Sequence, residues 1–184
     1  MRIIGGNLKG KRLSSIRGNR IRPTADRLRE SIFNILSDRV QGATVLDLFS
    51  GTGALGIEAL SRGAAFAVLI DRYKNAVWLI EKNVRACAFE KKAKIIQWDI
   101  TKNLKCIGAF KAVFDLVFMD PPYGQMTLAK TLRNLDLSNS LEKGALLVIE
   151  HSLLEPLDLE LGRFSLTDRR KYGKTLVSFL TYML

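Results

Sequence analysis

From residue 42 onward, segments typical of β-strands alternate with segments typical of α-helices. This alternation favours a parallel sheet whose two faces are covered by helices. We therefore expect an α/β fold with a doubly wound, mostly parallel sheet. The predicted strands are 43–49, 65–71, 94–99, 114–120 and 145–150, and the predicted helices are 54–63, 74–89 and 128–135.

The C-terminal segment departs from this alternation. Residues 164–184 contain two strand-like stretches that are joined around Tyr172, Gly173 and Lys174. Two such stretches with a short glycine-containing connection predict an antiparallel hairpin. We expect this hairpin to extend the sheet, with its last strand antiparallel.

The N-terminal segment also differs from the alternating part of the chain. Glycines separate two short stretches within the first fifteen residues, which predicts a small hairpin. Apolar residues then recur at helical spacing, so we predict an amphipathic helix over 25–39 with Thr24 as its N-cap. We expect residues 1–41 to form an extension packed on a main domain of residues 42–184, so that the chain is effectively one domain.

Positive charge is concentrated in this extension. The formal net charge is +11, and the first thirty residues hold nine lysines and arginines against only Asp26 and Glu30. Such a cluster is typical of a polyanion site, although a solvated basic face without a partner is the alternative. We predict that RNA phosphates are bound by Arg2, Lys9, Lys11, Arg12, Arg22 and Arg27.

The sequence favours a cytoplasmic location. Its apolar runs are much shorter than the ~20 residues that a transmembrane helix needs, and the N-terminal residues have no apolar stretch typical of a secretory signal. Cys87 and Cys106 lack the spacing of metal ligands. We expect free thiols, no bound metal and no membrane partner.

A glycine-rich stretch, DLFSGTGALG, follows the first predicted strand. Gly51, Gly53 and Gly56 satisfy the pattern G-x-G-x-x-G between a strand and a helix. Glycines there permit a tight turn and bring a ligand close to backbone N–H groups. The pattern fits a dinucleotide, S-adenosylmethionine (SAM) or a purely structural turn. The predicted cofactor contacts in this stretch are Asp47, Phe49, Ser50, Gly51, Thr52 and Gly53.

Four predicted strands carry an aspartate at or near their carboxyl end, namely Asp47, Asp71, Asp99 and Asp120. The carboxyl ends of parallel strands line the ligand crevice of an open α/β sheet. Each aspartate alone is also a common turn former, but four together predict an acidic rim. Such a rim repels a pyrophosphate and suits the sulfonium and ammonium groups of SAM, so SAM is favoured over NAD.

Each acid has a predicted role toward SAM. Asp71 lies about twenty residues beyond the glycines, where an acid can accept the ribose hydroxyls. A carboxylate is an acceptor, so Asp99, with Ile100 beside it, is predicted to bind the adenine amino group. Asp47 is predicted to hold the glycine stretch and to reach the methionine ammonium, directly or through water.

The fourth strand ends in DPPY, Asp120 to Tyr123. The Asp120 carboxylate and the Pro121 carbonyl can accept the hydrogens of a nucleobase amino group, and the fixed φ angles of Pro121 and Pro122 stiffen that carbonyl. Tyr123 can stack on an extracted base. The alternative is an ordinary turn followed by a packed tyrosine. We predict that Asp120, Pro121, Pro122 and Tyr123 form the catalytic corner.

Longer strings of the sequence resemble a known family. DLFSGTGALG followed by DPPY resembles the class I SAM-dependent amino-methyltransferases. RIIGGNLKGKRL, RPTADRLRESIFNIL and YGKT resemble the RsmD family more narrowly, and the likeness runs over essentially the whole chain. One departure is Asp71, where glutamate is more often expected.

The resemblance implies a Rossmann-like class I methyltransferase fold with a small N-terminal extension. It also implies methyl transfer from SAM to the exocyclic N2 of a specific guanine in 16S rRNA, within an assembled small ribosomal subunit. We expect the protein to act as a monomer.

Three other functions fit parts of the sequence. The DPPY corner alone suits an adenine-N6 or cytosine-N4 methyltransferase equally well. The glycine pattern alone suits an NAD-linked oxidoreductase, and the basic extension alone suits a non-catalytic RNA-binding module.

Overall fold

The computed structural model describes residues 1–15, 23–108, 113–122, 127–154, 157 and 162–183, without the side chains of residues 23–25. Seven strands form one sheet, and four α-helices are found in the described part of the chain. The strands are β1 (Thr44–Leu48), β2 (Phe66–Asp71), β3 (Ala93–Gln97), β4 (Phe114–Met119), β5 (Leu141–Ser152), β6 (Phe164–Tyr172) and β7 (Thr175–Tyr182). The helices are α1 (Pro23–Leu36), α2 (Ala54–Ser61), α3 (Lys74–Ala86) and α4 (Thr127–Ser138).

The order of the strands in the sheet is β3-β2-β1-β4-β5-β7-β6. The first five strands are parallel, and β7 inserts antiparallel between β5 and β6. This arrangement confirms the predicted α/β class, the doubly wound parallel sheet and the C-terminal hairpin. Successive strands are added on one side of β1 up to β3 and on its other side from β4 onward. Ligand crevices of open α/β sheets form at such a switch point.

Helices cover both faces of the sheet, and each face has its own core. Neighbouring residues of a strand point to opposite faces, so Val45 packs with α1, α2 and α3 whereas Leu46 packs with α4. Both side chains are fully buried. Burial on both faces explains why β1, β2 and β4 are almost continuously apolar.

The first helix differs from its prediction at both ends. It begins at Pro23 and ends at Leu36, after which Ser37–Val40 form a 3₁₀ turn. The predicted N-cap, Thr24, therefore lies inside the helix, and that prediction was wrong. Proline is favoured at the first helical position because its fixed φ suits a helix and the N–H group that it lacks would have no partner there.

The N-terminal residues form a small hairpin, as the glycine spacing predicts. Arg2 pairs antiparallel with Arg12, and the N–H of Ile3 donates to the carbonyl of Lys11 at 2.9 Å. Ile3 and Leu13 are buried in the core that α1, α2 and α3 form, whereas Arg2 and Arg12 are exposed. The hairpin thus presents its cations on the outside.

A buried glutamate on α2 holds this hairpin. Glu58 is 1% exposed, and its carboxylate accepts the backbone N–H groups of Ile4 at 2.8 Å and Gly5 at 2.7 Å. Arg62 donates to the same carboxylate at 2.8 Å, and Arg29 lies 3.6 Å from it. Arg29 itself is buried and donates to the carbonyl of Arg2.

In the described part of the chain, no helix has the length and apolar character needed to cross a bilayer.

Candidate active site

The connection between β1 and α2 forms a strained loop. Phe49, Gly51 and Gly53 adopt left-handed conformations with φ of 63°, 57° and 77°. At Gly53 a Cβ would also lie 3.2 Å from side-chain carbons of Ile57 and Leu69. A side chain at this position is therefore unfavourable, and the backbone of the loop remains bare.

Asp47 lies beneath this loop and fixes it to the helix that follows. It is 2% exposed, and its Oδ2 accepts the N–H of Gly56, the third residue of α2, at 2.9 Å. The pKa of Asp47 is raised to about 7, chiefly by burial. The hydrogen bonds from Gly56 and Ser50 oppose this rise, and the charges of Asp120 and Asp71 add to it. A cation near Asp47 would favour its ionised form.

Asp71 at the end of β2 connects the glycine loop to the cavity. Its Oδ2 accepts the N–H of Gly51 and its Oδ1 accepts the N–H of Tyr73, both at 2.9 Å. Each carboxylate oxygen can accept more than one hydrogen bond, so Asp71 keeps acceptor capacity for a ligand. The structure thus places it where a pair of hydroxyl groups could be bound.

Asp99 follows β3 and is held by a local turn. Its Oδ1 accepts the hydroxyl of Thr101 at 2.6 Å and the backbone N–H of Thr101 at 3.2 Å. The side-chain hydrogen bond from Thr101 lowers the pKa of Asp99, and the nearby cations Lys102 and Arg72 add to this effect. Asp99 is therefore an ionised acceptor at neutral pH, next to the buried Ile100.

These elements surround a cavity of about 650 Å³ at the carboxyl edge of the sheet. Its volume lies within the range of small-molecule sites, roughly 300–1,000 Å³. The lining residues come from the ends of all five parallel strands and the segments after them. They are Phe49, Ile70, Asp71, Arg72, Tyr73, Trp98, Asp99, Ile100, Thr101, Asp120, Pro121, Pro122, Thr127 and Glu150.

Asp120 is the acid of the DPPY corner, and it lines this cavity together with Pro121 and Pro122. Its side chain is accessible from the cavity, but the protein around it limits its hydration. This desolvation raises the pKa of Asp120 to about 6. The carboxyl group is therefore mostly ionised at neutral pH and close enough to its pKa to take up a proton.

Seven lining residues were missed in the sequence, namely Ile70, Arg72, Tyr73, Trp98, Thr101, Thr127 and Glu150. Glu150 ends the predicted strand 145–150, as Asp71 and Asp120 end theirs, so the same signal was present in the sequence. The observed β5 continues to Ser152. Tyr73 and Trp98 follow β2 and β3. No motif in the sequence marks these two aromatic residues as part of a binding site. Tyr73 and Trp98 are 59% and 37% exposed, and the guanidinium of Arg72 lies 4.5 Å from the centre of the Tyr73 ring.

Seven of the predicted residues line the cavity, namely Phe49, Asp71, Asp99, Ile100, Asp120, Pro121 and Pro122. Five predicted cofactor contacts do not line it, namely Asp47, Ser50, Gly51, Thr52 and Gly53. Ser50 and Thr52 belong to the loop, where Ser50 Oγ donates to the carbonyl of Asp47 at 2.7 Å and the Thr52 carbonyl accepts Asn83 at 2.9 Å. The predicted residues Arg22 and Tyr123 lie outside the described residues. The remaining predicted RNA-binding residues do not line the cavity and are exposed on the hairpin and α1, namely Arg2, Lys9, Lys11, Arg12 and Arg27.

The cavity fits SAM better than a dinucleotide. Three aspartates and a glutamate line it, namely Asp71, Asp99, Asp120 and Glu150, against the single cation Arg72 among the described lining residues. Such a set of acids provides acceptors for the hydroxyl and amino groups of a cationic ligand, and its charge repels a pyrophosphate.

Comparison with known proteins agrees with this geometry. A family model described as "conserved hypothetical protein 95" matches residues 1–181. Ribosomal RNA small subunit methyltransferase D of Escherichia coli K12 is 33% identical over 174 residues, covering 95% of this chain and 86% of that protein. The protein of the same name from Buchnera aphidicola of Acyrthosiphon pisum is 33% identical, with 91% and 88% covered. The chain belongs to the RsmD family.

Solved structures show the same fold for this RsmD-family protein. The structure of yhhF, a methyltransferase candidate from Escherichia coli, has a TM-score of 0.84 and 32% identity, covering 100% of this chain and 98% of the other. A Thermus thermophilus protein has a TM-score of 0.79 and 30% identity, with 100% and 99% covered. These similarities confirm the class I methyltransferase fold and SAM as the cofactor.

Proposed function

We propose that this RsmD-family protein transfers the methyl group of SAM to the exocyclic N2 of a guanine in 16S rRNA, within small ribosomal subunits. The observation that supports this most strongly is the shared cavity of the acidic rim and the DPPY corner, at the switch point of the sheet. The relatives named ribosomal RNA small subunit methyltransferase D support the substrate class. Guanine N2 is favoured by the motifs RPTADRLRESIFNIL and YGKT.

Residues of the rim hold the cofactor in this proposal. Asp71 accepts the ribose hydroxyls, Asp99 and Ile100 bind adenine, and Asp47 stabilises the ammonium end through the glycine loop. When bound, SAM supplies a methyl group that its sulfonium already activates. The protein therefore contributes mainly by position and orientation.

The DPPY corner orients the guanine amino group for attack on the methyl carbon. The lone pair of a guanine amino group is conjugated with the ring, which makes N2 a poor nucleophile. The Asp120 carboxylate and the Pro121 carbonyl accept its two hydrogens and direct the lone pair toward the methyl carbon. As the N–C bond forms and the C–S bond breaks, N2 releases a proton. Asp120 can take it up, because its pKa is raised to about 6.

The exposed cations of the N-terminal extension bind RNA phosphates in this proposal. Arg2, Lys9 and Lys11 lie outside the cavity, so they set the position of the RNA without contacting the reacting base. Residues 1–41 thus serve as an RNA-binding extension of a methyltransferase domain, and the protein works as a cytoplasmic monomer.

Labelled SAM and small subunits that lack the modification test this function. We expect label in 16S rRNA and N2-methylguanine after digestion to nucleosides. Asp120→Ala should lower the turnover number about a hundredfold or more while SAM still binds, as measured by calorimetry. Asp120→Asn is the matched variant, and it should lose less activity because its amide oxygen accepts one amine hydrogen.

Other products would reverse this assignment. N6-methyladenine or N4-methylcytosine would identify a different amino-methyltransferase. Stabilisation against heat by NADH but not by SAM would support an oxidoreductase. Absence of methyl transfer to any assembly state of the subunit would favour an RNA-binding module.

A further inference from the structure

Glu150 lies directly beside the catalytic corner. Strands β4 and β5 are parallel neighbours, and Met119 is opposite Ile149 in their register. Asp120 directly follows β4, and Glu150 is the next residue of β5, so the two residues lie side by side at this edge of the sheet. Paired residues of parallel strands point to the same face of a sheet, and both carboxyl groups line the same cavity.

The Glu150 carboxyl has no protein partner among the described residues. No cation lies within ion-pair distance there, and no hydrogen bond to it is formed. Its neighbour on β7 is the buried, apolar Val177, and the following residue, His151, is buried and bonded to Ser178 Oγ at 2.9 Å. A half-buried polar group without a partner is unfavourable, so a ligand in the cavity is the available partner.

Glu150 and Asp120 differ in their pKa values and therefore in their protonation at neutral pH. Desolvation and, to a smaller extent, the charge of Asp120 together raise the pKa of Glu150 to about 8, whereas desolvation raises the pKa of Asp120 to about 6. The other charged groups that line the cavity in the described part of the chain are Asp71, Asp99 and Arg72. At neutral pH Asp120 is thus mostly ionised and Glu150 mostly neutral. A neutral carboxyl offers one carbonyl acceptor and one hydroxyl donor.

We propose that Glu150 is a specificity-determining residue that recognises the ring edge of guanine next to the reacting amine. Its carbonyl oxygen accepts N1–H, and its hydroxyl group donates to O6, while Asp120 holds N2. This proposal rests on the proposed guanine-N2 function. It assigns to Glu150 a contact with the base, separate from the contacts of the DPPY corner.

The other two bases with an amino group fit this pair of contacts less well. With its amine at Asp120, adenine presents an acceptor nitrogen followed by a C–H group. Cytosine presents two acceptors in succession. Only guanine presents a donor followed by an acceptor, so a neutral carboxyl forms two hydrogen bonds with guanine and one with the others.

Two substitutions at this position separate recognition from mere packing. Glu150→Gln keeps a carbonyl acceptor and an N–H donor but cannot ionise, whereas Glu150→Ala removes both. With unmodified small subunits, E150A should lower kcat/KM at least about tenfold, and E150Q should restore it to within about fivefold of wild type. Above pH 8 the wild type should lose activity relative to E150Q. The Kd for SAM and the melting temperature serve as the structural readouts.

The outcomes distinguish this proposal from the function on which it rests. N2-methylguanine formed at equal rates by wild type and E150A overturns the role of Glu150 alone. The role of Glu150 is also overturned if E150Q is as defective as E150A, or if wild type and E150Q have equal pH profiles. N6-methyladenine or N4-methylcytosine as the wild-type product overturns both proposals.

Discussion

Glu58 accepts the backbone N–H of Gly5 at 2.7 Å, across fifty-three positions of the sequence. The same buried carboxylate binds Ile4 and lies close to Arg29 and Arg62. One side chain of α2 therefore attaches the N-terminal hairpin to the sheet domain. This is unusual for a glutamate, which is seldom buried unless it is paired.

Glu58→Ala should destabilise the protein strongly. It removes the acceptor of two backbone N–H groups and one of the two acids beside the buried Arg29, which keeps Asp26 at 3.1 Å. Breaking a buried ion pair from one side typically costs about 3–5 kcal/mol. Urea unfolding measures this loss, and limited proteolysis should show cleavage within the hairpin. Glu81→Ala is the control, since its pair with Arg85 is exposed and should change the free energy of unfolding by less than about 0.5 kcal/mol. Equal effects of the two variants would contradict the anchoring role.

The contrast between Glu58 and the aspartates shows what the sequence could and could not predict. Asp71 and Asp120 end apolar strands, and this local pattern is sufficient to place them at one edge of a parallel sheet. Arg29 resembles an exposed helical cation in sequence, and only its contact with Glu58, twenty-nine residues later, makes it a buried one. The insertion of β7 between β5 and β6 likewise depends on pairing between distant segments, which no local pattern specifies.

Asp71 should contribute to cofactor affinity by two routes. It holds Gly51 through a 2.9 Å hydrogen bond and keeps free acceptor capacity toward the cavity. Hydrogen bonds to charged groups contribute about 1.5–3 kcal/mol, so Asp71→Ala should weaken SAM binding roughly ten- to a hundredfold. Calorimetry with SAM measures this change.

Two further variants test whether the loss of SAM affinity is due to the Asp71 carboxylate. Asp71→Asn retains an oxygen acceptor for Gly51 and should lose less affinity than the alanine variant. Glu142→Ala removes an exposed acid at the opposite end of β5 and should bind SAM as the wild type does. If Asp71→Ala bound SAM normally, the ribose assignment would be wrong.

The buried Asp47 should make the ligand-free protein less stable as the pH rises. Its pKa is about 7 in the folded state against an ordinary value of 3.8, so folding favours the protonated form. Its stabilising contribution is complete below about pH 4 and is lost as the pH rises through about 7. Asp47→Asn cannot ionise and keeps an oxygen acceptor for Gly56. Asp120 and Glu150 titrate in both proteins, so their contributions largely cancel in a comparison.

Urea unfolding at pH 5 and pH 8 tests this linkage. The free energy of unfolding of Asp47→Asn, relative to wild type, should increase between these pH values by on the order of 2 kcal/mol, at 1.36 kcal/mol per pKa unit. A difference that is the same at both pH values would show that Asp47 is already ionised at pH 5 in the folded protein.

The lysines of the N-terminal hairpin should contribute to RNA binding through charge alone. Lys9 and Lys11 are exposed, and neither forms an ion pair with a described residue. The double variant Lys9→Ala, Lys11→Ala should weaken RNA binding by roughly tenfold at low salt and reduce the slope of log K against log salt by about two. Its free energy of unfolding and its SAM affinity should match those of the wild type.

The matched control is Lys94→Ala, Lys143→Ala, which removes two exposed cations from the amino ends of β3 and β5, opposite the cavity. Equal losses of RNA affinity in the two double variants would mean that net charge, and not the hairpin surface, attracts the RNA.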